Sequence, residues 1–296
     1  MSARSKPLYL VSLVAFAFLA TCGPAAPTTA PSGGAEAQQF PPAPEAPIPS
    51  DPGRIAATLT RTDAALGSEV RAWIANGGDA RRPPDAVVLL ALYEQRVFGT
   101  LAADHPLARA VYARLSHQLA AKARANAGAA AALRSLFSPA GHAPTLRTQA
   151  PLPAATLLGY YRAAERRFGV AWQVLAAVNL VESKFGRVVS ASSAGARGPM
   201  QFMPATWKAY GMGGNVNDPR DAIFAAANYL HASGAPGDYR RALYAYNPAR
   251  PYVAAVMAYA QQMMHDPLAY YGYYNWQVFQ VTSSGERRLT GPGPSP

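Results

Sequence analysis

Large apolar side chains recur three and four residues apart along most of this chain, and that regularity limits the fold more than any other feature. Val70, Trp73 and Ile74, then Leu107, Val111, Leu115 and Leu119, follow it in the first part. Leu157, Tyr161, Ala164 and Phe168, then Trp172, Leu175 and Val178, then Ile223, Ala227 and Leu230, and last Val253, Val256 and Ala260 follow it in the second. Such spacing lines one face of a helix, whereas a half-buried strand needs a spacing of two. Alternation is absent between Ile55 and Phe137. Only Trp276 to Thr282, before the turn residues Ser283, Ser284 and Gly285, hints at a small hairpin. The expected fold class is therefore mostly α.

Local signals divide the helical pattern. Ser68 is a candidate N-cap for the first stripe, Asp218-Pro219 followed by Asp221 opens another helix, Asp238 caps a short one, and Pro251 suits a first turn. Gly186 and Gly234 are stop signals. A Pro/Gly-containing stretch, Pro139 to Pro153, carries little periodicity, reads as a linker or exposed loop and places a boundary near residue 150. The expected organisation is a helical N-terminal region of four or five helices over 53–149, a second helical region over 150–266, and an aromatic extension and tail over 267–296.

The beginning of the chain reads as an address. Arg4 and Lys6 precede an apolar run from Leu8 to Ala20, too short to span a bilayer comfortably and suited to a secretory signal core. The run ends Leu19-Ala20-Thr21-Cys22-Gly23, which resembles the lipobox of bacterial lipoproteins, so 1–22 is expected to be a signal peptide and Cys22 a lipidation site that anchors the protein to a membrane. Residues 23–52 are mostly Pro, Ala, Gly, Ser and Thr and are expected to form a disordered tether. The expected location is the cell envelope.

Composition removes several function classes. Cys22 is the one cysteine, so no internal disulfide and no cysteine zinc site can form, and the five histidines contain no HExxH pair. No phosphate-cradling GxxxxGKS loop is present. The formal net charge of +11 is spread, with twelve basic against six acidic residues over 53–149 and eleven against six over 150–266. No concentrated basic stripe results, which fits an anionic envelope better than a nucleic acid. No cofactor, no metal and no nucleic acid is expected. The loop of Asn215, Asn217 and Asp218 lacks the glycine and distant glutamate of a calcium-binding EF-hand.

One carboxylate stands out. Glu182 falls four residues after Val178 and seven after Leu175, on the largely apolar face of its helix. Two readings remain open from pattern alone: a buried, hydrogen-bonded structural glutamate, or a carboxyl whose burial raises its pKa into the range of a general acid.

The stretch Val181-Glu182-Ser183-Lys184-Phe185-Gly186, followed by Ser192-Ser193-Ala194-Gly195-Ala196-Arg197-Gly198-Pro199-Met200-Gln201-Phe202-Met203-Pro204, resembles the core of bacterial lytic murein transglycosylases. Asp221-Ala222-Ile223, Ala227-Asn228-Tyr229-Leu230, Ala245-Tyr246-Asn247 and Tyr252-Val253 follow in the order of that family's later motifs. The resemblance covers residues 150 to about 265. Pro199, and Asn247-Pro248 in place of Asn-Ala-Gly, favour the branch similar to membrane-bound transglycosylase B. The resemblance implies a lysozyme-like catalytic domain that binds peptidoglycan glycan strands. It assigns Glu182 as the acid/base and Tyr246 as the tyrosine that contacts its carboxylate. It assigns Ser192, Met200, Gln201, Asn247 and Tyr252 to substrate binding.

The expected reaction is non-hydrolytic cleavage of the β-1,4 bond between N-acetylmuramic acid and N-acetylglucosamine. Glu182 protonates the leaving oxygen, then removes the proton from the 6-hydroxyl of the muramic acid, which closes onto C1 as a 1,6-anhydro ring. A second carboxylate, which ordinary glycosidases require, is not evident, because Asp218, Asp221 and Asp238 are explained by capping. A water-using muramidase and a catalytically silent peptidoglycan-binding module are the alternatives. Trp207, Tyr210, Tyr229, Tyr239, Tyr244, Tyr252 and the tyrosines between Tyr270 and Tyr274 are candidate platforms for sugar faces.

Overall fold

The computed structural model describes residues 39–136, 146–282 and 285–292. The expected signal segment, Cys22 and the first part of the tether lie outside the described residues, as do the turn residues Ser283 and Ser284.

Among the described residues, four α-helices build the N-terminal region. α1 (Pro52–Ala75) starts where the Asp51 side chain accepts the Arg54 N–H at 2.7 Å and Pro52 occupies the first turn. Ser68 therefore lies inside a helix rather than at its start, because Asp51-Pro52 already supplies both cap and entry sixteen residues earlier. α2 (Asp85–Ala103) is long and apolar enough to cross a membrane, yet most of its surface is covered by the other helices, as in a core helix. The stripe from Leu107 to Leu119 is two helices, α3 (His105–Tyr112) and α4 (His117–Arg134), capped by Asp104 and Ser116.

The second region contributes α5 (Ala154–Phe168), α6 (Trp172–Ser183), α7 (Pro204–Tyr210), α8 (Pro219–Ala232), α9 (Tyr239–Tyr246) and α10 (Arg250–His265). Asp218 and Asp238 cap α8 and α9 as their positions predict, accepting the N–H groups of Asp221 and Arg241. α11 (Ala269–Tyr274) follows, and then the hairpin β1 (Phe279–Thr282) with β2 (Gly285–Arg288), antiparallel with Phe279 opposite Arg288. The fold is mostly helical, as the periodicity requires.

The two helical regions share one continuous core. α10 is the pivot, packing on α4 of the first region and on α6 of the second. α11 fills the seam. Tyr270 meets Tyr161, Trp172 and Phe185 edge-on at centroid distances of 6.2, 5.8 and 5.7 Å, and its hydroxyl donates to the Ala154 carbonyl. Tyr273 donates to Asn126 Oδ1 of α4 at 2.8 Å. Tyr270, Tyr271, Tyr273 and Tyr274 are all buried, so these rings pack the interior and are not sugar platforms.

Two segments expected to be loose are anchored. Of the tether, residues 39–51 lie against the N-terminal helices: Arg96 donates to the carbonyls of Pro44 and Ala46, and the Arg61 guanidinium sits 3.7 Å from the Phe40 ring centroid. Arg288 of the hairpin pairs with Glu45 at 2.6 Å. In the interregional stretch, Gln149 donates to the Arg187 carbonyl and Val189 to that of Arg147, so residues 147–149 run beside the segment that follows α6.

Candidate active site

The site is built around the end of α6. This helix is apolar nearly all round, and every residue but Gln173 is buried, so it can only be a central helix. Glu182 rides in its last turn with 3% of its surface exposed. Immediately beyond, Lys184, Phe185 and Gly186 all take positive φ (52°, 61° and 81°). Two of the three carry a Cβ, at a cost of about 1–2 kcal/mol each. Packing holds them there: Phe185 is buried against Tyr270 and Tyr274, and its N–H returns to the Asn179 carbonyl. α6 thus ends at Ser183, three residues before the glycine that marks its stop in the sequence.

The facing loop is fixed from both sides. Arg197 and Phe202 exchange backbone hydrogen bonds, which closes Gly198-Pro199-Met200-Gln201 into a tight turn. The Pro199 carbonyl accepts from Asn179 Nδ2 (2.7 Å) and Ser183 Oγ (2.6 Å), both on α6. Asn179 Oδ1 accepts in turn from the Tyr161 hydroxyl at 2.5 Å. From α9, the Tyr246 hydroxyl donates to the Met200 carbonyl at 2.6 Å. Gly198 sits at φ 74° with its backbone against Val216, where a Cβ would come 1.9 Å from the Val216 carbonyl oxygen. Gly198→Ala should therefore lower stability by about 1–3 kcal/mol and displace the turn. Urea denaturation checks this, and an unchanged midpoint would contradict it.

The carboxyl of Glu182 has one protein hydrogen bond among the described residues: the Tyr252 hydroxyl of α10 donates to Oε1 at 2.7 Å. Burial pushes the carboxyl up to about 8, and the Tyr252 bond pulls the other way. Both Tyr246 and Tyr252 are held well above the ordinary phenol value, first by burial and then by the Glu182 charge, so both remain donors at neutral pH. No other acidic group contributes to the raised pKa of Glu182. Among the described residues the four aspartates of the second region have structural partners, and Glu165 lies on α5, in a different helix from Glu182. Asp218 and Asp238 cap helices, Asp221 accepts the Asn215 N–H, and Asp266 accepts the Leu268 N–H.

The site residues expected from the sequence are partly redistributed. Tyr252, expected in substrate binding, holds the carboxylate, and Tyr246, expected there, braces the Met200 carbonyl instead. The reason is register: Tyr252 lies in the first turn of α10, packed on α6, whereas Tyr246 ends α9 beside the loop. The Met200 side chain is buried in the core, so only its backbone belongs to the site. Gln201, at φ 49°, folds its amide back onto the Gly198 carbonyl at 2.9 Å. Ser192 closes its own turn by accepting the Ala196 N–H at 2.8 Å. Asn247 is 9% exposed, and its Oδ1 has no partner among the described residues. The Asn215, Asn217 and Asp218 loop is internally bonded, with Asn215 Oδ1 accepting the Asn217 N–H.

An aromatic run leads away from the loop. Phe202 meets Trp207 and Tyr246 at 5.3 and 5.8 Å, Tyr246 lies 5.6 Å from Tyr229, and Tyr229 lies 4.5 Å from Tyr210. All but Phe202 are half-buried. A hollow of about 220 Å³ lies elsewhere, between α1, α2, α4 and the α10–α11 connection, and Glu182 does not line it. Asn179 and Ser183 are the members to which the motif reading gives no role. An asparagine on an otherwise apolar stripe, one turn before Glu182, is the available signal.

No curated protein and no solved structure matches the chain. Residues 159–265, which hold Glu182, the facing turn and both tyrosines, match the family model described as Transglycosylase SLT domain, a match that supports a lysozyme-like domain and a peptidoglycan-cleaving function of the lytic transglycosylase type.

Proposed function

We propose that the protein is a lytic transglycosylase in which Glu182 alone serves as acid and then base. The observation that carries this reading is a solitary buried carboxyl, pushed up to about 8 and oriented by one tyrosine hydroxyl. A carboxyl in that state is protonated at neutral pH and can give its proton to the oxygen between N-acetylmuramic acid and N-acetylglucosamine. With no carboxylate partner, the anomeric cation is stabilised by the substrate's own 2-acetamido group. Ionised Glu182 then takes the proton of the 6-hydroxyl, which bonds to C1 and completes the 1,6-anhydro ring. Held on the same sugar, that hydroxyl has an effective concentration far above that of a free nucleophile.

The other groups fit supporting roles. Tyr252 keeps the carboxyl in place. Trp207, Tyr210 and Tyr229 offer half-exposed rings to sugar faces, and the buried Asn247 Oδ1, without a partner among the described residues, would accept a substrate N–H or O–H once uncovered. Pro199 and Asn247-Pro248 favour the branch similar to membrane-bound transglycosylase B. Export and lipid anchoring through Cys22 put this chemistry beside the cell wall. Cys22→Ala should release the protein from membranes, and unchanged membrane retention on fractionation would reject the anchor.

Mass spectrometry of peptidoglycan fragments tests the reaction: new ends should be one water lighter than reducing ends. Reducing ends alone would identify a muramidase, and no cleavage by the native chain would identify a binding module.

Acid catalysis needs protonated Glu182, so kcat/KM should fall as pH rises through about 8. Tyr252→Phe removes the bond that favours the ionised form, so the fall should move to higher pH by about one pH unit. A pH profile on soluble glycan strands checks both. A limb unmoved by Tyr252→Phe would show that the tyrosine does not act on this carboxyl.

A further inference from the structure

A second hollow, of about 150 Å³, lies between the end of α5 and the start of α8, with Arg167 and Arg220 in its walls. Each guanidinium lies over a phenyl ring, Arg167 at 5.1 Å from the Phe168 centroid and Arg220 at 5.0 Å from that of Phe224. The two rings meet edge to face at 6.3 Å, which ties the arginines of two helices to one aromatic support. Arg167 has no ion pair among the described residues.

The third wall is the segment Gly211 to Gly214. Gly211 is right-handed (φ −72°, ψ −7°) and Met212 left-handed (φ 50°), a succession that closes α7, with the Gly211 N–H donating to the Trp207 carbonyl at 2.7 Å. One carboxylate also lines the hollow. Asp221 Oδ2 accepts the Asn215 N–H at 2.9 Å, and Oδ1 lies 3.7 Å from Arg220. Two arginines against one aspartate leave a net single positive charge. That balance suits a singly charged carboxylate, which two planar forks recognise well, better than a doubly charged phosphate.

The hollow is tied to the loop facing Glu182 through the chain. Two residues beyond Gly214, the last residue of its third wall, the Val216 carbonyl presses on Gly198, the first residue of the turn facing Glu182. On the lytic reading given above, on which this inference rests, the muramic acid bound at that turn carries a peptide stem with free carboxylates. A stem extends about 3.3 Å per residue, so a few residues lead well away from the sugar.

We propose that Arg167 and Arg220 form a binding site for a carboxylate of the peptide stem and so favour glycan strands that still carry their peptides. The site selects substrate and takes no part in bond cleavage.

Initial rates on glycan strands with peptides, and on the same strands stripped by an amidase, test this with the native chain, Arg167→Gln, Arg220→Gln and Arg167→Lys. Both glutamine variants should raise KM for peptide-bearing strands roughly tenfold with kcat unchanged, and leave stripped strands unaffected. The lysine variant should recover only part of the loss, because it restores charge without the fork. Equal effects on both substrates, or none on either, would overturn the proposal. Calorimetry with the free stem tetrapeptide gives a readout independent of cleavage: weak binding by the native chain, abolished in Arg167→Gln, supports the site even if no strand is cut. Binding of inorganic phosphate but not of the tetrapeptide would overturn it in favour of a phosphate-bearing wall polymer.

Discussion

Glu182→Gln should lower peptidoglycan turnover by about 10²–10⁴-fold and at the same time make the protein more stable at neutral pH. The two effects share one cause. Burial raises the carboxyl from its ordinary 4.5 to about 8, so between those values the folded state binds a proton that the unfolded state has released. Stability contributed by the protonated carboxyl is complete below about pH 4.5 and is lost as pH rises through about 8. Every tenfold difference in proton affinity between the folded and unfolded chain is worth about 1.4 kcal/mol. Glutamine keeps the shape and never ionises, so near pH 7 it should raise stability by a few kcal/mol, with the gain shrinking toward pH 4.5. Urea denaturation of both proteins across that range measures it. A variant no more stable than the native chain at pH 7 would show that the carboxyl is not held at a cost by its surroundings.

Lys122→Met should destabilise the fold by about 3–5 kcal/mol, the largest expected loss from a single change outside the site. Lys122 of α4 donates to Glu94 of α2 at 2.5 Å and to Asp63 of α1 at 2.7 Å, joining three helices of the N-terminal region. Burial works against the lysine's charge, but Glu94 and Asp63 outweigh it and keep the ammonium charged. Burial also raises the Glu94 carboxyl, an effect that Lys122 opposes. Removing the lysine leaves Glu94, 1% exposed, without its counter-charge. Because α10 packs on α4 and on α6, that loss should reach the catalytic domain as a lower midpoint for the whole chain. The double variant Lys122→Met, Glu94→Leu should recover much of it. A single variant within about 1 kcal/mol of the native chain would mean that the triad is solvent-screened and idle.

Much of this architecture is legible in the residues. Helical spacing fixes the class, and Asp218 and Asp238 mark two helix starts because an acid before a Pro or an apolar turn has few other uses. Boundaries are less legible where two signals compete. Ser68 has the chemistry of a cap, yet the stronger Asp51-Pro52 pair extends α1 through it. The Leu107–Leu119 stripe keeps its phase across the break at Ser116, so period alone cannot show that two helices carry it.

Within the site, Glu182 is identifiable because a carboxylate on an apolar stripe needs a reason to be buried. The division of labour between Tyr246 and Tyr252 is not. Both lie downstream at plausible separations, and which one meets the carboxyl depends on how α9 and α10 pack on α6, a tertiary fact with no local signature. The tyrosines of α11 illustrate the same limit: exposed, they would suit a sugar, and only the junction of the two regions shows that they are interior. The core shared through α10 makes residues 53–136 part of the support of the second helical region.

On the proposed reaction the atom attacking C1 belongs to the sugar itself, since among the described residues Glu182 has no carboxylate partner to activate water. Digestion of purified peptidoglycan in water enriched in heavy oxygen tests it most directly. The account predicts cleaved muramic acid ends with no heavy oxygen. Heavy oxygen at C1 of the newly formed ends would contradict it.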